Sequence, residues 1–449
     1  MNSIAVVMPR VGYFFVLRLI GFCMLMSGAL VVSGGAQTPV FPLKVSANKR
    51  YLVDQREQPF LYHADTAWRM AFRLRPIEVE QYLEHRQAQG FNTVHLHAIN
   101  KEKEGTANVH GDQPFDPPGD ITRPHEPYWK NLDQVVRAAT GRGFLVVISA
   151  SWFGYNGSGW RKDLTPEATR SYGRFLGNRY REFKNIMWIQ GGDNNPGDKA
   201  EAAQALAEGI RETSPHQLQT FHAGPEHPSA EFFHQASWLD INLAYTYEPA
   251  YRQISAEYNR RARLRPIVLG ETGYEGEANT GFPWTPYLVR RQAYWALLSG
   301  AAGHAYGSAT IWHFGKDWQD ALDKPGTRQM AHIKTLFAAR PWHKLVPDQK
   351  HAALTAGYEA GATYASAART DDGRLILAYL PTSRAVTINL SKLSGPTMAR
   401  WYDPTDGRFH PIEGSPFANQ GSKQFTPPEA NSAGEHDFIL VLEVSSKKG

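Results

Sequence analysis

Eight short apolar runs, set apart by longer amphipathic stretches, dominate the first two thirds of this 449-residue chain. They are Phe60–His63, Thr93–His97, Phe144–Ser149, Ile186–Gln190, Leu218–Phe221, Ile241–Leu243, Ile267–Leu269 and Gly303–Tyr306. Several are β-branched and uninterruptedly apolar, as strands buried on both faces must be. Helical patterns fill the gaps: Pro76–Gln89 ahead of Gly90, Tyr128–Thr140 ahead of Gly141, Pro166–Phe183, Lys199–Glu212, and Tyr287–Leu298 ahead of Gly300. Proline in a first turn and glycine past a last one are helix start and stop signals. The count predicts an α/β chain whose residues 37–345 form a (β/α)8 barrel. A doubly wound open sheet is the competing arrangement, but no Gly-x-Gly-x-x-Gly follows the first run, which argues against its nucleotide-binding form.

The pattern changes near His351. RLILAYLP follows the turn Asp371-Asp372-Gly373, a hairpin signal, and AVTINL, TMARWYD, KQFTPP and FILVLEV come after at short spacing. Residues 346–449 are thus expected to form a small β-sandwich.

At the other end, Arg10 and Arg18 precede the uncharged run Leu19–Val32 and the small residues Ser33-Gly34-Gly35-Ala36. Basic residues, a short apolar core and small residues make a secretory signal, so residues 1–36 are expected to be removed on export to the periplasm or the medium. The run is short for a bilayer span, which needs about 20 residues, and Arg18 would interrupt a longer one. Cys23, the chain's one cysteine, lies inside this segment, so the mature chain would have neither disulfides nor thiolate chemistry.

The formal charge of +5 falls to +3 (5 − 2) once Arg10 and Arg18 are gone, and no block of five or six like charges occurs. A nucleic-acid partner or a membrane surface therefore has little electrostatic support. The 12 Trp and 20 Tyr suit stacking on ring-shaped ligands as well as core packing.

Barrel chemistry sits just beyond the carboxyl ends of the strands. There the sequence places Asp65 and Trp68 after the first run, His95 and His97 at the end of the second, and Trp152 after the third. Asp193 and Asn194 follow the fourth, His222 the fifth, Tyr247 the sixth, Glu271 the seventh and Trp312 the eighth. Asp193 and Glu271, on different sides of one mouth, could flank a single bond. Glycoside hydrolysis needs one acid protonated for the departing oxygen and another ionised. Gly-Gly-Asp-Asn-Asn-Pro is equally good turn chemistry, and Asp65 could instead cap the following helix. His95 and His97 share one strand face and, with His222, could hold a metal; hydrogen bonding within a sugar cleft is the favoured reading, with no metal or cofactor required. Trp152, Trp160, Tyr247, Trp284 and Trp312 are candidates for stacking or for the core. Arg69 and Arg161, near the expected mouth, could meet a uronate.

The runs LKVSANKRYLVDQREQPFLYHADTAW, QGFNTVHLHAI, GGDNNP and GETGYEG resemble, in this order, the apiosidase-like glycoside hydrolases of family 140. RLILAYLP, ARWYDPTDGRF and FILVLEV resemble the small β domain such proteins carry, often labelled collagen-binding. The resemblance implies a retaining glycosidase with Asp193 as acid/base and Glu271 as nucleophile, and with Asp65, Trp68, His97 and Asn194 around the reacting sugar. It also implies removal of apiose linked to galacturonic acid in a pectic polysaccharide. The wider superfamily has Asn-Glu after the fourth strand; here Gly192-Asp193 takes its place, one methylene shorter and without the preceding amide. A barrel that binds sugar without cleaving it and a metal-dependent hydrolase are the other readings.

Overall fold

A computed structural model describes residues 38–99, 105–154, 159–278 and 280–445. The expected signal, residues 1–36, lies outside the described residues. Among those described, no helix is long and apolar enough to cross a membrane.

Eight parallel strands form the central sheet: β1 (Tyr62–Thr66), β2 (Thr93–His97), β3 (Leu145–Ser151), β4 (Ile186–Gly191), β5 (Leu218–His222), β6 (Asn242–Tyr245), β7 (Ile267–Glu271) and β8 (Gly303–Tyr306). Their hydrogen-bonded order is β5-β4-β3-β2-β1-β8-β7-β6. The remaining seam, β5 against β6, has no ladder but is closed by Asp240 N to Gln219 O at 2.9 Å and Thr220 Oγ1 to Ile241 O at 2.8 Å. The strands thus curl into the expected barrel.

The larger outer helices are α2 (Pro76–Ala88), α3 (Glu126–Gly141), α4 (Pro166–Tyr180), α5 (Ala200–Thr213), α7 (Ala250–Asn259), α8 (Pro286–Leu298) and α9 (Pro325–Ala338), with short turns α1 (Met70–Arg73) and α6 (Ser229–Phe233) between them. Their starts follow from sequence. Thr165 and Thr285 each accept the backbone N–H three residues on, and a proline occupies the next position.

Strand alternation sorts side chains into two layers. Tyr62, Ala64, Val147, Ile189, Leu243 and Val268 fill the barrel, while residues such as Leu96, Ile148, Trp188 and Leu269 pack outward on the helices. Ahead of β1, Lys44–Val45, Leu52–Val53 and Pro59–Phe60 form an antiparallel sheet. Its Leu43, Leu52 and Phe60 flank join the interior layer and plug the barrel's base.

Beyond α9, β9 (Leu345–Pro347), β10 (Leu354–Ala356), β11 (Ser366–Thr370), β12 (Leu375–Leu380), β13 (Val386–Asn389), β14 (Thr397–Tyr402), β15 (Phe409–Pro411), β16 (Ser422–Phe425) and β17 (Phe438–Val444) build two sheets. One has the order β9-β11-β12-β17-β14-β15, the other β10-β13-β16. On β12, Ile376, Ala378 and Leu380 face the second sheet, whereas Leu375, Leu377 and Tyr379 join the barrel's helical core. The strand is buried on both faces because the domain is sandwiched against the barrel. A buried ion pair pins the contact. Arg290 of α8 donates to Asp437 at 2.8 Å and to Gln329 at 2.8 Å and pairs with Glu435, while Tyr379 donates to Asp437 at 3.0 Å.

Candidate active site

At the carboxyl end of β4 the backbone turns through three successive left-handed residues, Gly191 (φ 79°), Gly192 (φ 130°) and Asp193 (φ 55°). Gly192 is obligatory here: a Cβ would lie 2.2 Å from Cδ1 of Trp152. Asp193 is the non-glycine residue that bears the strain of this turn, and such strain gathers where a side chain must be aimed. Its carboxylate accepts from Trp152 Nε1 at 3.1 Å.

Glu271 is aimed by a different device. The ladder between β6 and β7 slips between Leu269 and Glu271, a bulge at the mouth end of the strand that redirects the side chain inward. Glu271 Oε2 accepts from His222 Nε2 at 2.6 Å, and Oε1 accepts from the Tyr274 hydroxyl at 2.6 Å. Tyr274 in turn accepts from Trp68 Nε1 at 2.6 Å. Both carboxylate oxygens are thus held, and Glu271 is only 9% exposed.

One ligand atom from each of Asp193, His222 and Glu271 lies within 4.8 Å of the other two. The acids, 78 positions apart in sequence, meet in one pocket (271 − 193). Burial, followed by the Glu271 charge, raises Asp193 to about 6. Burial lowers His222, but the hydrogen bond and charge of Glu271 outweigh it, so the imidazole is raised overall.

Rings surround the acids. Trp68, His97 and Trp152 stack in series, with centroids 4.9 and 5.4 Å apart. Burial, then the Arg69 charge, depresses His97 to about 3, so this ring is neutral. Tyr245 packs 5.0 Å from His222, and its hydroxyl meets that of Tyr247 at 2.7 Å. Half-buried Trp312 lies under the Arg69 guanidinium at 4.6 Å. Trp68, His97, Trp152, His222, Tyr247 and Trp312 are therefore gathered around Asp193 and Glu271.

The expectation for Asp65 is corrected, and the remaining candidates take contacts of their own. Asp65 is 1% exposed and faces the helices, where it accepts from Tyr82 at 2.7 Å and pairs with Arg86. It neither caps a helix nor reaches the mouth, because Ala64 takes the inward position and β alternation turns its neighbour outward. Asn194 donates to the Gly154 carbonyl and so braces two loops. Trp160 and Trp284 are core residues, 1% and 2% exposed. Arg161 holds the carbonyls of Asn195 and Pro196, each at 2.9 Å, and pairs with Asp198. His95 binds the Tyr62 hydroxyl deeper in the barrel. Among the described residues, the trio with chelating proximity is Asp193, His222 and Glu271, and His95 and His97 are not in it.

Tyr274 and Glu277 escaped the sequence reading. Glu277, half-buried after β7, is raised to about 7, first by burial and then by the Glu271 charge, and it bonds Trp312. The signal lay in GETGYEGE, where a tyrosine and a second acid follow Glu271 in one turn-rich loop.

A barrel with paired carboxylates and stacked rings at its mouth defines a glycoside hydrolase, and the comparisons agree. The family model "Apiosidase-like, catalytic domain" matches residues 46–344, and "Putative collagen-binding domain of a collagenase" matches residues 346–443. The chain belongs to the apiosidase-like family. A solved family 5 glycoside hydrolase from Bacteroides vulgatus is 28% identical, with a TM-score of 0.82 over 92% of this chain and 96% of its own. Another structure, described as a glycoside hydrolase, is 27% identical, with a TM-score of 0.82 over 92% of this chain and 100% of its own. A third Bacteroides vulgatus structure, 13% identical with a TM-score of 0.67 over 91% of this chain and 84% of its own, shares the fold. No curated protein matches the chain in sequence.

Proposed function

We propose that the protein is an exported, retaining exo-glycosidase that removes a terminal sugar from a plant or microbial polysaccharide, with Glu271 as nucleophile and Asp193 as acid/base. The observation that carries this is the approach of the two carboxylates: their ligand atoms lie within 4.8 Å. Retaining enzymes hold their acids about 5–5.5 Å apart, whereas inverting ones leave about 6.5–9.5 Å for a water.

In the first step a Glu271 oxygen bonds to the anomeric carbon as the glycosidic C–O bond breaks, and the Asp193 proton passes to the departing oxygen. In the second, Asp193 takes a proton from water, whose oxygen bonds to the anomeric carbon and releases Glu271 as carboxylate. Two inversions leave the configuration unchanged. The raised Asp193 suits both halves, since a group near the working pH gives and takes a proton readily. Tyr274 and His222 hold the two Glu271 oxygens in place by donating to them. Trp152, the half-buried end of the Trp68–His97–Trp152 stack, offers its ring to a sugar.

Family membership favours apiose, or a furanose like it, as the departing sugar, and the signal-like N-terminus supports export. The test is incubation of purified protein with a panel of plant and microbial oligosaccharides, including apiose-bearing pectic fragments. The released monosaccharide would be identified, and its first-formed anomer read by NMR. Release with retention is expected; an inverted first product would overturn the nucleophile assignment, and binding without release would favour a non-catalytic barrel.

A further inference from the structure

At the base of the barrel, opposite the acids, lies a cleft of about 390 Å³ built by three separate parts of the chain. The N-terminal sheet supplies Arg50 and Tyr51, the segment joining barrel to β domain supplies Trp342 and Lys344, and the β11–β12 turn supplies Asp371 and Asp372. Ala301, just ahead of β8, lines its floor, which fixes the cleft at the amino ends of the barrel strands. Its volume falls within the about 300–1,000 Å³ usual for small-molecule sites.

We propose that this cleft is a second saccharide-binding site, taking a neutral sugar unit of a polymer whose other end is offered to the mouth. Three observations carry it. First, Tyr51 and Trp342 are both half-buried and meet edge to face, with centroids 5.9 Å apart at 70°. His343 meets both rings edge to face as well, at 5.4 and 6.0 Å, so none of the three is stacked parallel on another, as a ring that is to receive a pyranose or furanose requires.

Second, the charges balance. Arg50 and Lys344 oppose Asp371 and Asp372. An anionic ligand would meet the two carboxylates and a cationic one the two basic groups. A neutral polyol can accept from one pair and donate to the other. Third, one donor is preset. Arg50 lies 3.9 Å over the Tyr258 ring and donates to the Tyr258 carbonyl at 2.9 Å, which fixes the direction of its fork.

The position gives the β domain a role beyond packing. A sugar held at the base cannot be the one cleaved at the mouth, so the cleft would tether a chain and raise its local concentration. Only the choice of ligand class rests on the glycosidase reading.

The test is affinity electrophoresis of the full chain in gels containing the neutral polymers arabinan, galactan, galactomannan or xyloglucan. Wild-type protein is expected to be retarded in at least one gel. Trp342→Ala and, independently, Asp371→Ala should weaken that retardation about tenfold in apparent Kd while leaving turnover of a short oligosaccharide unchanged. Asp371 is exposed, so its variant keeps the test open should loss of Trp342 disturb folding. No retardation in any of the four gels, or full retardation of both variants, overturns the proposal. Glu271→Gln separates the two readings: if it keeps turnover the glycosidase assignment fails, while retardation still judges the cleft.

Discussion

His222 stands between the two acids, its Nε2 2.6 Å from Oε2 of Glu271 and its Nδ1 3.4 Å from the backbone nitrogen of Asp193. The imidazole donates to Glu271 and fixes the direction of the oxygen that would attack. A hydrogen bond to a charged group is worth about 1.5–3 kcal/mol. His222→Ala is therefore expected to lower kcat roughly 10- to 100-fold, with KM nearly unchanged, in steady-state assays on the identified substrate.

Removing either acid should be far more costly. Asp193→Asn is expected to reduce turnover by about 10²–10⁴, the usual worth of general acid–base catalysis. Glu271→Gln should lose at least as much. Added azide should restore product formation to Asp193→Ala as a glycosyl azide of unchanged anomeric configuration, because azide needs no base to attack the glycosyl-enzyme. NMR of the isolated glycosyl azide checks this, and an inverted azide product would place the nucleophile elsewhere.

Asp193 sits at about 6, raised by burial and then by Glu271. The departing oxygen needs its proton, so kcat/KM should fall about tenfold per pH unit well above pH 6, and Asp193→Asn should lack that limb. Stability follows the same shift. Between the ordinary Asp value near 3.9 and 6, the folded protein keeps a proton that the unfolded chain has released. Stability is therefore greatest below this window, falls as pH rises through it, and stays reduced above. Asp193→Asn should exceed wild type by about 1–2 kcal/mol at pH 8 in urea unfolding, discounting one shifted unit's 1.36 kcal/mol scale for partial exposure. The difference should narrow towards pH 3.5.

Asp65 offers a control of the opposite kind. It pairs with Arg86 away from the mouth, both side chains being 1% exposed. Breaking a buried pair from one side costs about 3–5 kcal/mol. Asp65→Ala should lower the unfolding free energy by that amount in urea titrations, while the protein that remains folded keeps its KM. A change confined to KM would return Asp65 to the site.

Asp193, His222 and Glu271 are close enough to share a divalent ion. The double-displacement chemistry uses none, so incubation with EDTA followed by gel filtration should leave turnover unchanged. A loss restored by zinc or manganese would favour the metal-dependent reading.

The barrel was legible because β-branched runs such as Val146–Ile148 need no alternation when both faces are covered. Strand ends were harder. β3, β5 and β7 continue into Ser151, His222 and Glu271, where polar side chains begin and the apolar signal stops. Asp65 was misplaced because position after an apolar run does not say which face a residue takes. The three two-residue strands ahead of β1 carry too little pattern to be seen. Tyr274 was hidden because its partner is Trp68, 206 positions earlier, and no local spacing records that contact.

The double-sided burial of β12 also bears on heredity. Leu377, Tyr379, Ile439 and Val441 belong to the same apolar mass as the barrel helices. A recombination event delivering the barrel without its companion would lay that greasy flank open to water and leave Arg290 stranded without its counter-ions. The two halves must descend together as one genetic block, however the sugar accepted at the mouth drifts.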